Sequence, residues 1–129
     1  MSCLFTVVAL TGILCGTATA VDGDTLRMGS EKIRLWGVDA EEMDEPNGPR
    51  ARAILKDVVD GRHIKCTVVT IDNYGRSVGR CTVGSIDVNR EVIARGGALD
   101  CKRYSGGAFR SAEPSTSRTK LSQKPYCRG

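Results

Sequence analysis

The sequence predicts a mainly β domain of the α+β class, on three observations. Glycine is abundant, at 15 of 129 residues, which implies frequent turns. Apolar and polar residues alternate with period two in short runs, as half-buried strands do. Only two longer stretches carry helical spacing, one between strand-like runs and one after the last of them. Hydrophobic residues at 40% and charged residues at 26% fit a folded globular chain rather than a disordered one, and the length suits a single domain.

Residues 17–21 read as a first strand that ends at Asp22-Gly23, a dipeptide suited to a tight hairpin. Residues 25–28 form the return strand, Gly29-Ser30 a second turn, and residues 32–38 a third strand. In that strand Ile33 and Leu35 share one face while Arg34 and Trp36 share the other. An acidic loop over 39–45 closes at Pro46-Asn47-Gly48-Pro49. A helix is expected over 50–59, with Ala53, Ile54, Leu55 and Val58 as its apolar stripe and Gly61 as its stop. Residues 63–71 alternate as a fourth strand, with Ile64, Cys66 and Val68 on one side. A turn at 73–75 leads to a fifth strand over 78–83, and a second helix over 88–95 is halted by Gly96-Gly97. Beyond Tyr104 the chain is rich in Gly, Ser, Pro and Thr, and Pro114 argues against a long final helix. Five strands, with one helix between the third and fourth and two to three helices in all, match the order of an OB-type barrel. Periodicity alone also admits other small α+β arrangements.

The two ends differ from the body. Residues 3–15 carry no charge and are too few to span a bilayer comfortably, so residues 1–16 read as an apolar leader, either a signal peptide or the remnant of a membrane anchor. That reading places the protein outside the cytoplasm, exported as a periplasmic or secreted protein. Residues 17–105 form the predicted domain and 106–129 a basic, largely irregular tail. Residues 1–100 hold 12 basic and 14 acidic side chains, and residues 101–129 hold seven basic ones against Glu113 alone. A basic tail on a near-neutral body fits a polyanion, or simply a solvated tail. Outside the leader the cysteines are Cys66, Cys81, Cys101 and Cys127, none in a CxxC pair, which gives little support to a zinc site. Four cysteines allow three pairings. Cys66 and Cys81 stand six residues either side of the turn 72–75 and so face each other across a hairpin, leaving Cys101 and Cys127 to tie the tail to the body. The alternative is free buried thiols.

Three motifs carry chemistry. Val21-Asp22-Gly23-Asp24-Thr25-Leu26 is followed by Ile33-Arg34-Leu35-Trp36-Gly37-Val38-Asp39-Ala40-Glu41-Glu42, then by Asp72-Asn73-Tyr74-Gly75-Arg76. In this order they resemble the staphylococcal nuclease family, whose pattern is DGDT, RLxGIDxPE and DxYGR, and the likeness extends to residue 105. The resemblance implies a calcium-dependent phosphodiesterase acting on DNA, RNA or both, as a monomer with no stable protein partner. It implies Asp24, Asp39 and the carbonyl of Ala40 as calcium ligands, Glu42 as general base, and Arg34 and Arg76 as phosphate clamps. Tyr74 and Tyr104 would lie beside the nucleotide. These residue types suit the reaction, since hydrolysis needs hard oxygen donors for a cation, a proton acceptor for water and planar donors for phosphate oxygens.

The chain departs from the family pattern at Glu41, where proline is usual. A second carboxylate there is expected to loosen the loop and to raise the pKa of Glu42 or compete for the metal. Arg103 and Ser105 stand where an aromatic platform is expected, with Tyr104 between them. OB-type barrels also serve as non-catalytic modules that bind nucleic acid or protein, which is the alternative function. Each motif taken singly also reads as an ordinary turn or an acidic surface loop.

Overall fold

The computed structural model describes residues 12–128. A closed barrel forms its centre. Strand β1 (Gly12–Ala20) pairs antiparallel with β2 (Thr25–Met28), and β2 pairs antiparallel with β3 (Glu31–Leu35). A two-residue strand β4 (Val38–Asp39) follows, then helix α1 (Gly48–Val59). Strand β5 (His63–Ile71) runs antiparallel to β1 on one side and to β6 (Ser77–Val83) on the other. A parallel pairing of β3 with β6 shuts the barrel, placing Arg34 opposite Val78. The result is the five-stranded OB-type barrel of mixed pairing, mainly β with a few helices.

The remaining elements cap this barrel. Strand β7 (Ile86–Asp87) leads into α2 (Val88–Ala94), and β8 (Leu99–Asp100) pairs with β4. The Asp87 side chain accepts the Arg90 amide at 3.2 Å, an N-cap that starts α2. Helices α3 (Lys102–Ser105) and α4 (Ser117–Lys120) are single turns, and the 3-10 turns Arg110–Ala112 and Pro125–Arg128 complete the tail.

Period-two burial runs through β5, with Ile64, Cys66 and Val68 inside. Leu14, Leu26, Ile33 and Leu35 fill the barrel from the other strands, and Leu55, Val58 and Val59 close it from α1. Phe109, fully buried, meets Trp36 edge-on at 5.8 Å between centroids, a contact worth about 1 kcal/mol beyond its buried area. The sulfurs of Cys66 and Cys81 are bonded across the β5–β6 ladder, and those of Cys101 and Cys127 join β8's end to the tail.

Three expectations are corrected. The first strand already includes residues 12–16, ahead of the expected start at residue 17, because residues 12–17 pair with 63–68 of β5. Residues 12–16, read as part of the leader, are therefore strand; residues 1–11 of that leader lie outside the described residues. The third strand stops at Leu35, since Gly37 turns the chain at φ +72° and a Cβ there would lie 2.9 Å from Ser105 and 3.0 Å from Phe109. The buried stripe of α1 is Ala51, Leu55, Val58 and Val59, while Ala53 faces solvent. Among the described residues no helix is long and apolar enough to cross a membrane.

Candidate functional site

The first motif folds as a turn that aims Asp24 inward. The Asp22 carboxylate accepts the Asp24 amide at 3.0 Å, an Asx-type turn, and the Leu35 amide donates to the Asp24 carbonyl at 2.8 Å. The Asp24 carboxylate accepts the Ala40 amide at 3.0 Å and lies 3.3 Å from Arg34 Nη1. Burial, reinforced by Asp22, pushes the Asp24 pKa up to about 7 against the pull of Arg34 and the Ala40 amide.

Arg34 leaves β3 on the face opposite the core residues Ile33 and Leu35. Its Nη1 donates to the Val38 carbonyl at 2.7 Å and the Leu35 carbonyl at 3.2 Å. Those bonds fix the planar group while leaving part of its fork directed away from them. Burial disfavours its charge, but Asp24, Tyr126 and Asp39 outweigh that and hold its pKa above the ordinary arginine value.

Arg76 is placed by the third motif. Asp72 accepts the amides of Tyr74 and Arg76, both at 2.9 Å, and Arg76 Nε at 2.7 Å. Burial acts to raise the Asp72 pKa, but these bonds prevail and hold it below the usual carboxylate range. The Arg76 guanidinium stands 5.5 Å from the centre of the Tyr74 ring, within reach of a cation–π contact. Arg34, Arg76, Tyr74 and Tyr104 line one open cleft of about 470 Å³, together with Trp36, Val78 and Tyr126.

Asp39, Ala40 and Glu42 converge elsewhere, on Lys124 of the tail. Lys124 Nζ lies 3.0 Å from Asp39 Oδ1, 3.0 Å from the Ala40 carbonyl oxygen and 2.9 Å from Glu42 Oε2. The Lys124 amide also donates to Asp39 Oδ2 at 3.0 Å. Burial opposes the ammonium charge, yet the bond to Glu42 and the attraction of Asp39 dominate and raise the Lys124 pKa above its ordinary value. Asp39 is buried and Glu42 half exposed. Gly48 lets the loop close on this point: a Cβ there would fall 1.8 Å from the Glu42 carbonyl oxygen.

Glu41 takes no part in that cluster, contrary to expectation. It is buried and accepts the Asn47 amide at 2.9 Å, the Asn47 side-chain amide at 2.8 Å and the Ser122 amide at 3.0 Å. Burial acts to raise its pKa, and the bonds from Ser122 and Asn47 reverse the shift and lower it. Glu41 therefore braces the loop and docks the tail, rather than loosening the loop.

The donor set suits a hard cation. A buried carboxylate and a backbone carbonyl meet at one point, and an ammonium stands there as a cation would. Among the described residues no three His, Cys, Asp or Glu side chains gather on a metal position, and Asp24 faces Arg34 instead.

Lys124 and Tyr126 are the site residues that sequence reasoning passed over. The Tyr126 ring meets Tyr104 edge-on at 6.4 Å and lines the cleft. The signal was Cys127: a tail cysteine tied to the body brings its neighbours with it.

Comparison with known proteins identifies the family to which this fold is similar. Residues 32–124 match the family model described as staphylococcal nuclease homologue. The succinoglycan biosynthesis protein ExoI of Rhizobium meliloti (strain 1021) is 32% identical over 112 residues, covering 78% of this chain and 59% of that protein. The probable staphylococcal-like nuclease CAN2 of Oryza sativa subsp. japonica is 30% identical over 73 residues, 57% of this chain and 20% of the relative. The probable endonuclease LCL3 of Yarrowia lipolytica (strain CLIB 122 / E 150) is 32% identical over 87 residues, 60% and 38% respectively. The matched part is thus less than two thirds of each of these relatives.

Proposed function

Since the chain belongs to the staphylococcal nuclease homologue family, we propose that it hydrolyses phosphodiester bonds of DNA, RNA or both, with calcium as cofactor. The observation that carries this reading is the cleft itself. Two braced guanidinium groups, Arg34 and Arg76, share it with three tyrosines, and Arg34 links it to the carboxylates behind. Planar cations beside aromatic faces suit a nucleotide, because phosphate oxygens accept from the first and a base stacks on the second.

In the proposed reaction Glu42 takes a proton from the attacking water, being the most solvent-accessible carboxylate of its cluster. Arg34 and Arg76 donate to phosphate oxygens and stabilise the charge that grows on them. Asp72 is a positioning residue that holds Arg76, as Asp24 does for Arg34. Tyr74 and Tyr104 flank the nucleotide. Calcium held by Asp39 and the Ala40 carbonyl, with Asp24 bonded to the Ala40 amide behind them, would supply further positive charge to the phosphate. A net charge of +4 favours encounter with a polyanion, and disulfides such as Cys66–Cys81 and Cys101–Cys127 support an exported location.

The test incubates the disulfide-bonded protein with single-stranded DNA, duplex DNA and RNA, in calcium and in excess chelator. Glu42→Gln and Arg76→Ala are expected to lower the calcium-dependent rate by roughly 10²–10⁴-fold each, with the unfolding midpoint nearly unchanged in Glu42→Gln and lowered slightly in Arg76→Ala, which loses its bond to Asp72. Equal turnover by wild type and both variants would exclude the site as drawn. Nucleic acid bound without calcium and recovered intact would favour a binding module.

A further inference from the structure

We infer that Lys124 is an intrachain competitor for the cation position at Asp39 and Ala40, so that calcium binds there only when this ammonium is displaced. The inference rests on the reading of those two residues as calcium ligands.

An ammonium has three protons and no lone pair. All three protons of Lys124 face protein oxygens, those of Asp39, Ala40 and Glu42. None is left to donate to a phosphate, so the lysine in this position cannot do the work of a catalytic cation. It also engages Glu42, the group proposed to accept the proton from water. Both oxygens of Asp39 are occupied by the same residue, one by Nζ and one by the Lys124 amide. A cation that uses Asp39 and the Ala40 carbonyl must replace the Nζ contacts.

The placement is built into the fold on both sides of the lysine. Two residues before it, the Ser122 amide is held by Glu41. One residue before it, Gln123 Nε2 donates to the Asp100 carbonyl at 2.8 Å. Three residues after it, buried Cys127 is bonded to buried Cys101. Tethering of this kind keeps the ammonium at a high effective concentration beside its oxygens. Glu41, the departure from the family's proline, is thus one of the groups that seats the lysine. The exchange is also balanced in kind, because the buried Asp39 carboxylate needs a cationic partner whichever form the site takes.

Calorimetric titration with calcium, without nucleic acid, tests this on the full disulfide-bonded chain. Lys124→Ala is expected to bind calcium roughly tenfold more tightly than wild type or better, since the binding-competent fraction of the site rises. Glu41→Gln keeps the ammonium but weakens the seat of the tail, and is expected to shift the affinity in the same direction by less. That variant serves if Lys124→Ala does not fold. Unchanged affinity in every variant that folds, including no calcium binding by any of them, overturns the inference. So does hydrolysis by the wild type that persists in chelator and is lost in Lys124→Ala, because the lysine would then act as the site's own cation. Tightened calcium binding without hydrolysis of any nucleic acid supports the role of Lys124 and counts only against the nuclease reading.

Discussion

Glu41 and Asp72 show how a carboxylate near the site serves by holding backbone. Each accepts three hydrogen bonds from neighbouring groups, and hydrogen bonds to a charged acceptor contribute more than neutral ones. Restoring the family's proline, Glu41→Pro, is therefore expected to destabilise the protein by about 2 kcal/mol, read as a shift in the denaturant midpoint. Asp72 gives a pH signature. Its pKa is depressed in the folded state, so its contribution is present above the ordinary carboxylate value and is lost as pH falls through the folded value. Asp72→Asn should then cost about 1–3 kcal/mol near neutrality, with the gap between variant and wild type closing in acid. Unfolding curves at pH 7 and pH 3 compare the two. The turns beside Asp24, Arg34, Asp39, Glu42 and Arg76 were legible because each is defined by a short local sequence. The role of Glu41 was not, since its partner Ser122 lies 81 residues along the chain.

At the scale of elements, local pattern carried far where one face is buried and one is wet. Strand β5 has the bounds that alternation predicts, and the Cys66–Cys81 pairing follows from counting outward from the turn. Pattern failed where burial comes from several sides. Helix α1 packs by its Ala51, Leu55, Val58 and Val59 edge because the barrel mouth lies there, and Ala53, equally apolar, faces water. The short pair β4–β8 has too few residues for any periodicity, yet it positions Asp39 next to Leu99. Composition predicts an irregular tail because its short helical turns carry little local preference. Their positions come from contacts instead: Arg118 binds Glu113 at 2.8–2.9 Å and Gln123 at 2.7 Å, and Gln123 binds the Asp100 carbonyl. Part of the tail's positive charge is thereby neutralised within the molecule, which reduces what remains for a polyanion.

At the scale of the whole molecule, the Cys101–Cys127 bridge joins the tail to the rest of the fold across 26 residues. Replacing both cysteines with serine should lower stability by about 3–4 kcal/mol on the loop-entropy scale, measured by denaturant unfolding of the oxidised wild type and the double variant. Calcium affinity of that variant should rise alongside, because Lys124 loses its tether.

Closure of the barrel decides when the two cleft guanidinium groups come together. Arg34 belongs to the hairpin of β2 and β3, and Arg76 begins the return arm of the hairpin of β5 and β6. They share a cleft only because β3 and β6 zip together in parallel, a pairing between segments more than forty residues apart. Such non-local contacts form late, after the local hairpins have paid their ordering entropy. A chain that is still being synthesised, or threaded in extended form through a channel, carries each guanidinium on a separate piece. The clamp is assembled only when that long-range seam shuts, so the closed barrel, and neither hairpin alone, brings the two guanidinium groups together.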